Sequence, residues 1–192
     1  LVLLTGRELD LVLQTQLKSQ LSDLPERGDE GRIYICHESA IWQSAAPQPV
    51  RKTQLDAELR HQLVQTVPSM RMPVVGPLWK LLERYLGSDP TAWRGALFKN
   101  HKKESVAGQA FERIKKDGDV RLTLKRVQRA LFHRLSDGAG DMVQAILIAG
   151  DHDEISKHVG INYYCTYESD LQENYLLAIS QLMPAFRDAL CS

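Results

Sequence analysis

The chain has 192 residues, 43% of them hydrophobic and 25% charged, which is one ordinary domain with enough apolar side chains for a core and not a disordered or collagen-like composition. Lys and Arg balance Asp and Glu at 24 each, so no overall positive field draws the molecule to nucleic acid. The longest strictly apolar run is Ala145–Ala149, far too short to span a bilayer, and no membrane association is expected.

Residues 1–20 read as a helix, with Leu and Val crowding positions 1–4 and 9–13 and no internal Pro. Gly28-Asp29-Glu30-Gly31 reads as a turn. The alternation in residues 32–37 predicts a strand with Ile33 and Ile35 on one face, and Ala40-Ile41-Trp42-Gln43 a second one. Pro47 and Pro49 make residues 45–50 a loop or sheet edge. Thr53 caps a helix expected to run to about Thr66, through Leu55, Leu59 and Leu63. Residues 67–77 are Pro-rich and read as irregular. A short helix over 78–86 ends at Gly87, and another begins at Ser88-Asp89-Pro90, around Trp93 and Leu97. Residues 104–116 are expected to be helical, before a turn at Asp117-Gly118-Asp119.

Thr123 to Leu135 is amphipathic: Leu124, Val127, Leu131 and Leu135 share a narrow arc, while Arg126, Arg129 and His133 make a second stripe. Gly138 to Asp141 breaks this helix, and Asp141 caps the next, from Met142 to Ala149, which stops at Gly150. Residues 151–162 read as a polar loop. A last helix starts near Ser169, with Leu171, Tyr175, Ala178, Ile179, Leu182 and Phe186 inward and Pro184 as a kink. The fold class expected is therefore α+β: mainly helical, with a small antiparallel sheet.

The balanced total hides an uneven distribution. Residues 1–90 carry net −1, residues 91–137 net +7, and residues 138–192 net −6. A local basic segment is what a phosphate backbone requires, although such segments also serve as solvated faces. Several chemistries are excluded. There is no GxxxxGK[ST] phosphate loop, no GxGxxG after a strand, no HExxH, and no GxSxG elbow. Cys36, Cys165 and Cys191 are odd in number and lack CxxC spacing, which argues against a disulfide scaffold or zinc site and fits a reducing cytoplasm. Asp151, His152, Asp153 and Glu154 read as an acidic loop rather than a metal site. No cofactor is expected.

Two features remain: the Arg126/Arg129 stripe, and Tyr163-Tyr164 between a His-bearing loop and the final helix. With the opening Leu4-Thr5-Gly6-Arg7 and the following Asp10-Leu11, their order resembles the catalytic domain of the tyrosine recombinases, the phage-integrase family. Thr5-Gly6-Arg7 matches the family's first Arg motif with one residue fewer between Gly and Arg. Arg126-Val127-Gln128-Arg129 stands at the family's His-x-x-Arg, with Arg in the His place. Gly138–Gly150 resembles the stretch before the second His, where Asp151 takes the usual slot with His152 beside it. Tyr163-Tyr164-Cys165-Thr166 resembles the tyrosine box. The family's hairpin Lys has no counterpart in a convincing turn, Arg51 and Lys52 being the basic residues that follow residues 32–50.

The resemblance spans nearly all 192 residues as one catalytic-type domain, and with Leu rather than Met first it implies a piece lacking the family's upstream DNA-clamping domain. It implies strand cleavage and rejoining on double-stranded DNA through a 3′-phosphotyrosyl bond, and homo-oligomers on DNA formed through the C-terminal helix. Tyr164 is then the nucleophile, with Tyr163 as the alternative. Arg7 and Arg129 clamp the phosphate, and Arg126 and His152 assist. Covalent catalysis splits one hard displacement into two easier ones, and guanidinium forks match the charge on a phosphorane-like transition state. Simpler readings of the same residues are a surface Arg7–Asp10 pair at i, i+3, a solvated arginine stripe and a core tyrosine. At the level of the whole chain, the rivals are a catalytically decayed module that binds DNA or protein, and an unrelated helical interaction domain.

Overall fold

The computed structural model describes residues 1–26, 32–45, 69–87, 89–98, 109, 112–113, 123–139, 142–150 and 166–183. Among these the fold is α+β, with a five-stranded sheet and six α-helices. The expected turns at 28–31 and 117–119, the helix over 53–66 and the loop over 151–162 lie outside the described residues, as do Arg51 and Lys52.

The single opening helix is replaced by two. Helix α1 (Val2–Thr5) stops at Gly6, which takes φ 65° and donates its N–H to the Val2 carbonyl. A side chain at Gly6 would put Cβ 2.6 Å from the Ala149 Cβ, so this glycine is required by a close approach as well as by a turn. Helix α2 (Leu9–Leu13) follows, and then β1 (Gln16–Lys18) alternates in burial where a helix was expected. Strands β2 (Ile33–Cys36) and β3 (Ile41–Ala45) are the two expected strands, and they pair as an antiparallel hairpin. Strand β4 (Ser69–Pro73) lies in the stretch that reads as irregular. It is an edge strand, with Pro73 at its end opposite Ile41, where a missing N–H is tolerated.

The sheet runs β4-β3-β2-β1-β5. It is mixed rather than purely antiparallel: β1 lies parallel to β2, and all other pairings are antiparallel. After α3 (Gly76–Leu86), the helix expected around Trp93 is instead a 3-10 turn over Pro90–Ala92 and the two-residue strand β5 (Gly95–Ala96). Asp89 holds that turn by accepting from the Thr91 N–H and hydroxyl at 2.9 and 2.7 Å.

Helix α4 (Leu124–Ala139) begins as the pattern predicts. The Thr123 hydroxyl accepts from the Arg126 N–H at 3.3 Å, and Leu131 and Leu135 are fully buried. It ends at Ala139, within the Gly138–Asp141 stretch expected to break it. Helix α5 (Met142–Ala149) ends at Gly150, where φ is +86°. Helix α6 (Glu168–Leu182) buries Leu171, Tyr175, Ala178 and Ile179, and the kink expected at Pro184 lies outside the described residues. Phe186 lies outside the described residues.

The core joins both layers. Trp42, Ile35 and Met72 of the sheet meet Leu131, Leu135, Ile148, Tyr175 and Ile179 of the helices. Trp42 donates its indole N–H to the Tyr175 hydroxyl at 3.3 Å, in an edge-on ring contact. Helix α6 also covers the exposed sheet edge: the Glu168 carboxylate accepts from the Arg71 N–H at 2.8 Å, and the Gln172 amide donates to the Arg71 carbonyl at 3.0 Å. Such cover removes the aggregation hazard of an open edge. No helix among the described residues is long and apolar enough to cross a membrane.

Candidate functional site

Arg7 is the sequence-predicted residue with the most unusual surroundings. It follows the left-handed Gly6 and is carried between the end of α5 and the β2–β3 hairpin. Its Nη2 donates to the Leu147 carbonyl at 3.1 Å and to the Ser44 hydroxyl at 3.4 Å. Its Nε is buried and has no hydrogen-bond partner. Gly150 makes room for it: a Cβ there would lie 2.6 Å from Arg7 Nη1. Arg7 is half-buried rather than a surface residue, its guanidinium turned to Ser44 and Leu147.

These contacts have an electrostatic consequence. Burial pushes the Arg7 guanidinium down to about 10, still high enough to leave it charged at neutral pH. Its hydrogen-bond acceptors are a carbonyl and a hydroxyl; no carboxylate among the described residues compensates it. The Leu147 carbonyl is in the last turn of α5, where the helix dipole favours a cation, but one neutral helix end does not offset a buried full charge.

A cavity of about 40 Å³ is lined by Arg7, Leu11, Arg32, Ile33, Ser44 and Ala45. Arg32 and Ser44 are residues that motif reading does not single out. Their signal is topological: Ile33 pairs with Ser44 in the hairpin, which sets Arg32 and Ala45 at its open end. Arg129 does not line this cavity. It is half-buried on α4, and Arg126 and His133 on the same stripe are exposed. All three lie on the side of the helix away from Leu131, Arg129 about 160° around it. Arg7 follows α1, and α1 packs on α4, the helix that carries Arg129.

His152, Tyr163 and Tyr164 lie outside the described residues. The chain on either side is described. Gly150 sits against Arg7, two positions before His152, and Thr166 resumes two positions after Tyr164, next to the N-terminus of α6. The β2–β3 turn is His37-Glu38-Ser39-Ala40 and contains no lysine. No group of three or more potential metal ligands occurs among the described residues. A larger hollow of about 340 Å³, lined by Leu9, Val12, Leu78, Leu81, Tyr85 and other apolar residues, has no charged side chain in its wall. The apolar face of α6 is used within the chain, leaving Leu177 exposed. No known family model, no curated protein and no solved structure matches this chain.

Proposed function

We propose that this chain acts on DNA phosphodiesters by tyrosine-mediated strand cleavage and rejoining, as the resemblance to the tyrosine recombinases implies. The observation that carries the reading is the buried Arg7 guanidinium, charged, unmatched by any carboxylate among the described residues, and holding one N–H without an acceptor. In this reading a non-bridging phosphate oxygen accepts from Arg7. Arg129 adds donors from α4, with Arg126 and His152 assisting, and Tyr164 or Tyr163 attacks phosphorus while the 5′-oxygen leaves with a proton. The segment bearing the histidine and tyrosines departs from Gly150, which touches Arg7. Removing one preorganised donor from such a transition state typically costs about 3–4 kcal/mol.

A second reading has one observation in its favour. Arg7 donates to the Leu147 carbonyl, which is a structural role, and a chain in which that role alone persists is a decayed module that binds DNA or protein without cutting. A duplex nicked near the cleavage point separates the two. The enzyme accumulates a covalent protein–DNA adduct that survives denaturation, and Tyr164→Phe abolishes it while Tyr163→Phe leaves it. Salt-dependent DNA binding without adduct favours the decayed module, and absence of DNA binding defeats strand cleavage and leaves that module only a protein partner.

A further inference from the structure

We propose that a second copy of this chain docks on the apolar hollow walled by α1–α2 and α3, and that the Leu81 and Tyr85 side chains of each copy enter the hollow of the other. This surface is independent of strand cleavage. The hollow measures about 340 Å³ and is lined by apolar side chains, among them Val2, Leu9, Leu13, Leu78 and Leu97. Leu81 and Tyr85 belong to the same lining, one turn apart on α3, yet they are 60% and 66% exposed. Two large apolar side chains left in water beside an apolar hollow mark an interaction surface.

Three features point to a second copy as the occupant. The apolar knobs and the hollow share one face, so two copies related by a two-fold axis fill each other reciprocally, as an isologous contact requires. The charges beside the two walls are opposite: Lys80 and Arg84, both exposed, precede Leu81 and Tyr85 on α3, while the exposed Glu8 precedes Leu9 at the start of α2. A two-fold axis running along the hollow sets the α3 edge of one copy against the α2 edge of the other. It brings Lys80 and Arg84 toward the partner's Glu8 and keeps like charges apart. Finally, α6 uses Leu171, Tyr175, Ala178 and Ile179 inside its own chain, so the apolar surface offered to another molecule is on α3 instead.

Sedimentation equilibrium of the full chain, from micromolar to millimolar concentration, tests this. The wild type is expected to show a reversible monomer–dimer equilibrium. Leu81→Glu and Tyr85→Glu, at exposed positions where circular dichroism should find the fold unchanged, should each raise the dissociation constant by about tenfold or more. Leu177→Glu, on the exposed side of α6, should leave it unchanged. Arg84→Glu and Glu8→Arg should each weaken the dimer about two- to fivefold, and the double variant should recover the wild-type affinity. A monomer throughout the range overturns the proposal, as does a dimer untouched by Leu81→Glu and Tyr85→Glu or one dissolved by Leu177→Glu. Failure of the double variant to recover overturns the two-fold arrangement.

Discussion

Gly150→Ala tests the seat of Arg7 directly. Gly150 has φ +86°, and an added Cβ would lie 2.6 Å from Arg7 Nη1. Holding a side chain at such a backbone angle costs about 1–2 kcal/mol. Displacing the guanidinium also weakens its bonds to Leu147 and Ser44, and part of that loss is offset when the charge regains water. Together the expected destabilisation is about 2–4 kcal/mol, or a drop in Tm of about 5–15 °C for a chain of this size. Urea unfolding followed by circular dichroism measures it, and a double-mutant cycle isolates the contact. In an Arg7→Ala background only the backbone cost of about 1–2 kcal/mol remains, because nothing is left to collide with. A coupling below about 0.5 kcal/mol would show that Gly150 and Arg7 do not share space, and the account of the site would fail.

Other expectations follow from the same packing. Gly6→Ala pushes a Cβ against Ala149 Cβ and to 3.0 Å from its Cα, a backbone neighbour that cannot swing aside; the loss should be at least as large as for Gly150→Ala, read by the same unfolding curves. Tyr175→Phe leaves the buried Trp42 indole N–H without its acceptor and should cost about 1–3 kcal/mol. Burial pushes the Tyr175 phenol above the ordinary range, opposed in part by the Trp42 bond. The unfolded chain then loses this proton at a lower pH than the folded one, so Tyr175 makes stability fall as pH rises above about 10; spectrophotometric titration should find it ionising only with unfolding, and ionising in the still-folded chain if the burial is wrong. Leu131→Ala removes a fully buried side chain at the centre of α4 and should cost about 2–5 kcal/mol, against less than about 0.5 kcal/mol for the exposed Arg134→Ala.

The parts of the fold legible in the sequence are those whose evidence is local. Leu131 and Leu135 lie on one helical arc, Gly87 and Gly150 end helices, and the residues of β2 and β3 read as strands. What stayed hidden depends on distant partners. Nothing in Leu1–Gln20 announces that Ala149 presses on Gly6 and forces the chain to turn there. The parallel pairing of β1 with β2 is a tertiary choice that three residues cannot encode. Strand β4 was masked by Pro68, Pro73 and Pro77, although an edge position tolerates Pro73. The site divides in the same way. The Thr5-Gly6-Arg7 motif drew attention to Arg7, whereas Arg32 and Ser44 became its neighbours only through the hairpin register.

The central proposal is that Tyr163 or Tyr164 takes DNA onto itself. Proteolysis of the adduct trapped on nicked DNA, followed by peptide mass mapping, tests it most directly. The account predicts a nucleotide joined through its 3′-phosphate to the peptide containing Tyr163 and Tyr164, with fragmentation assigning the bond to Tyr164 and the species lost in Arg7→Lys. DNA bound by the wild type with an unmodified tyrosine peptide, or modified at another residue, would contradict it.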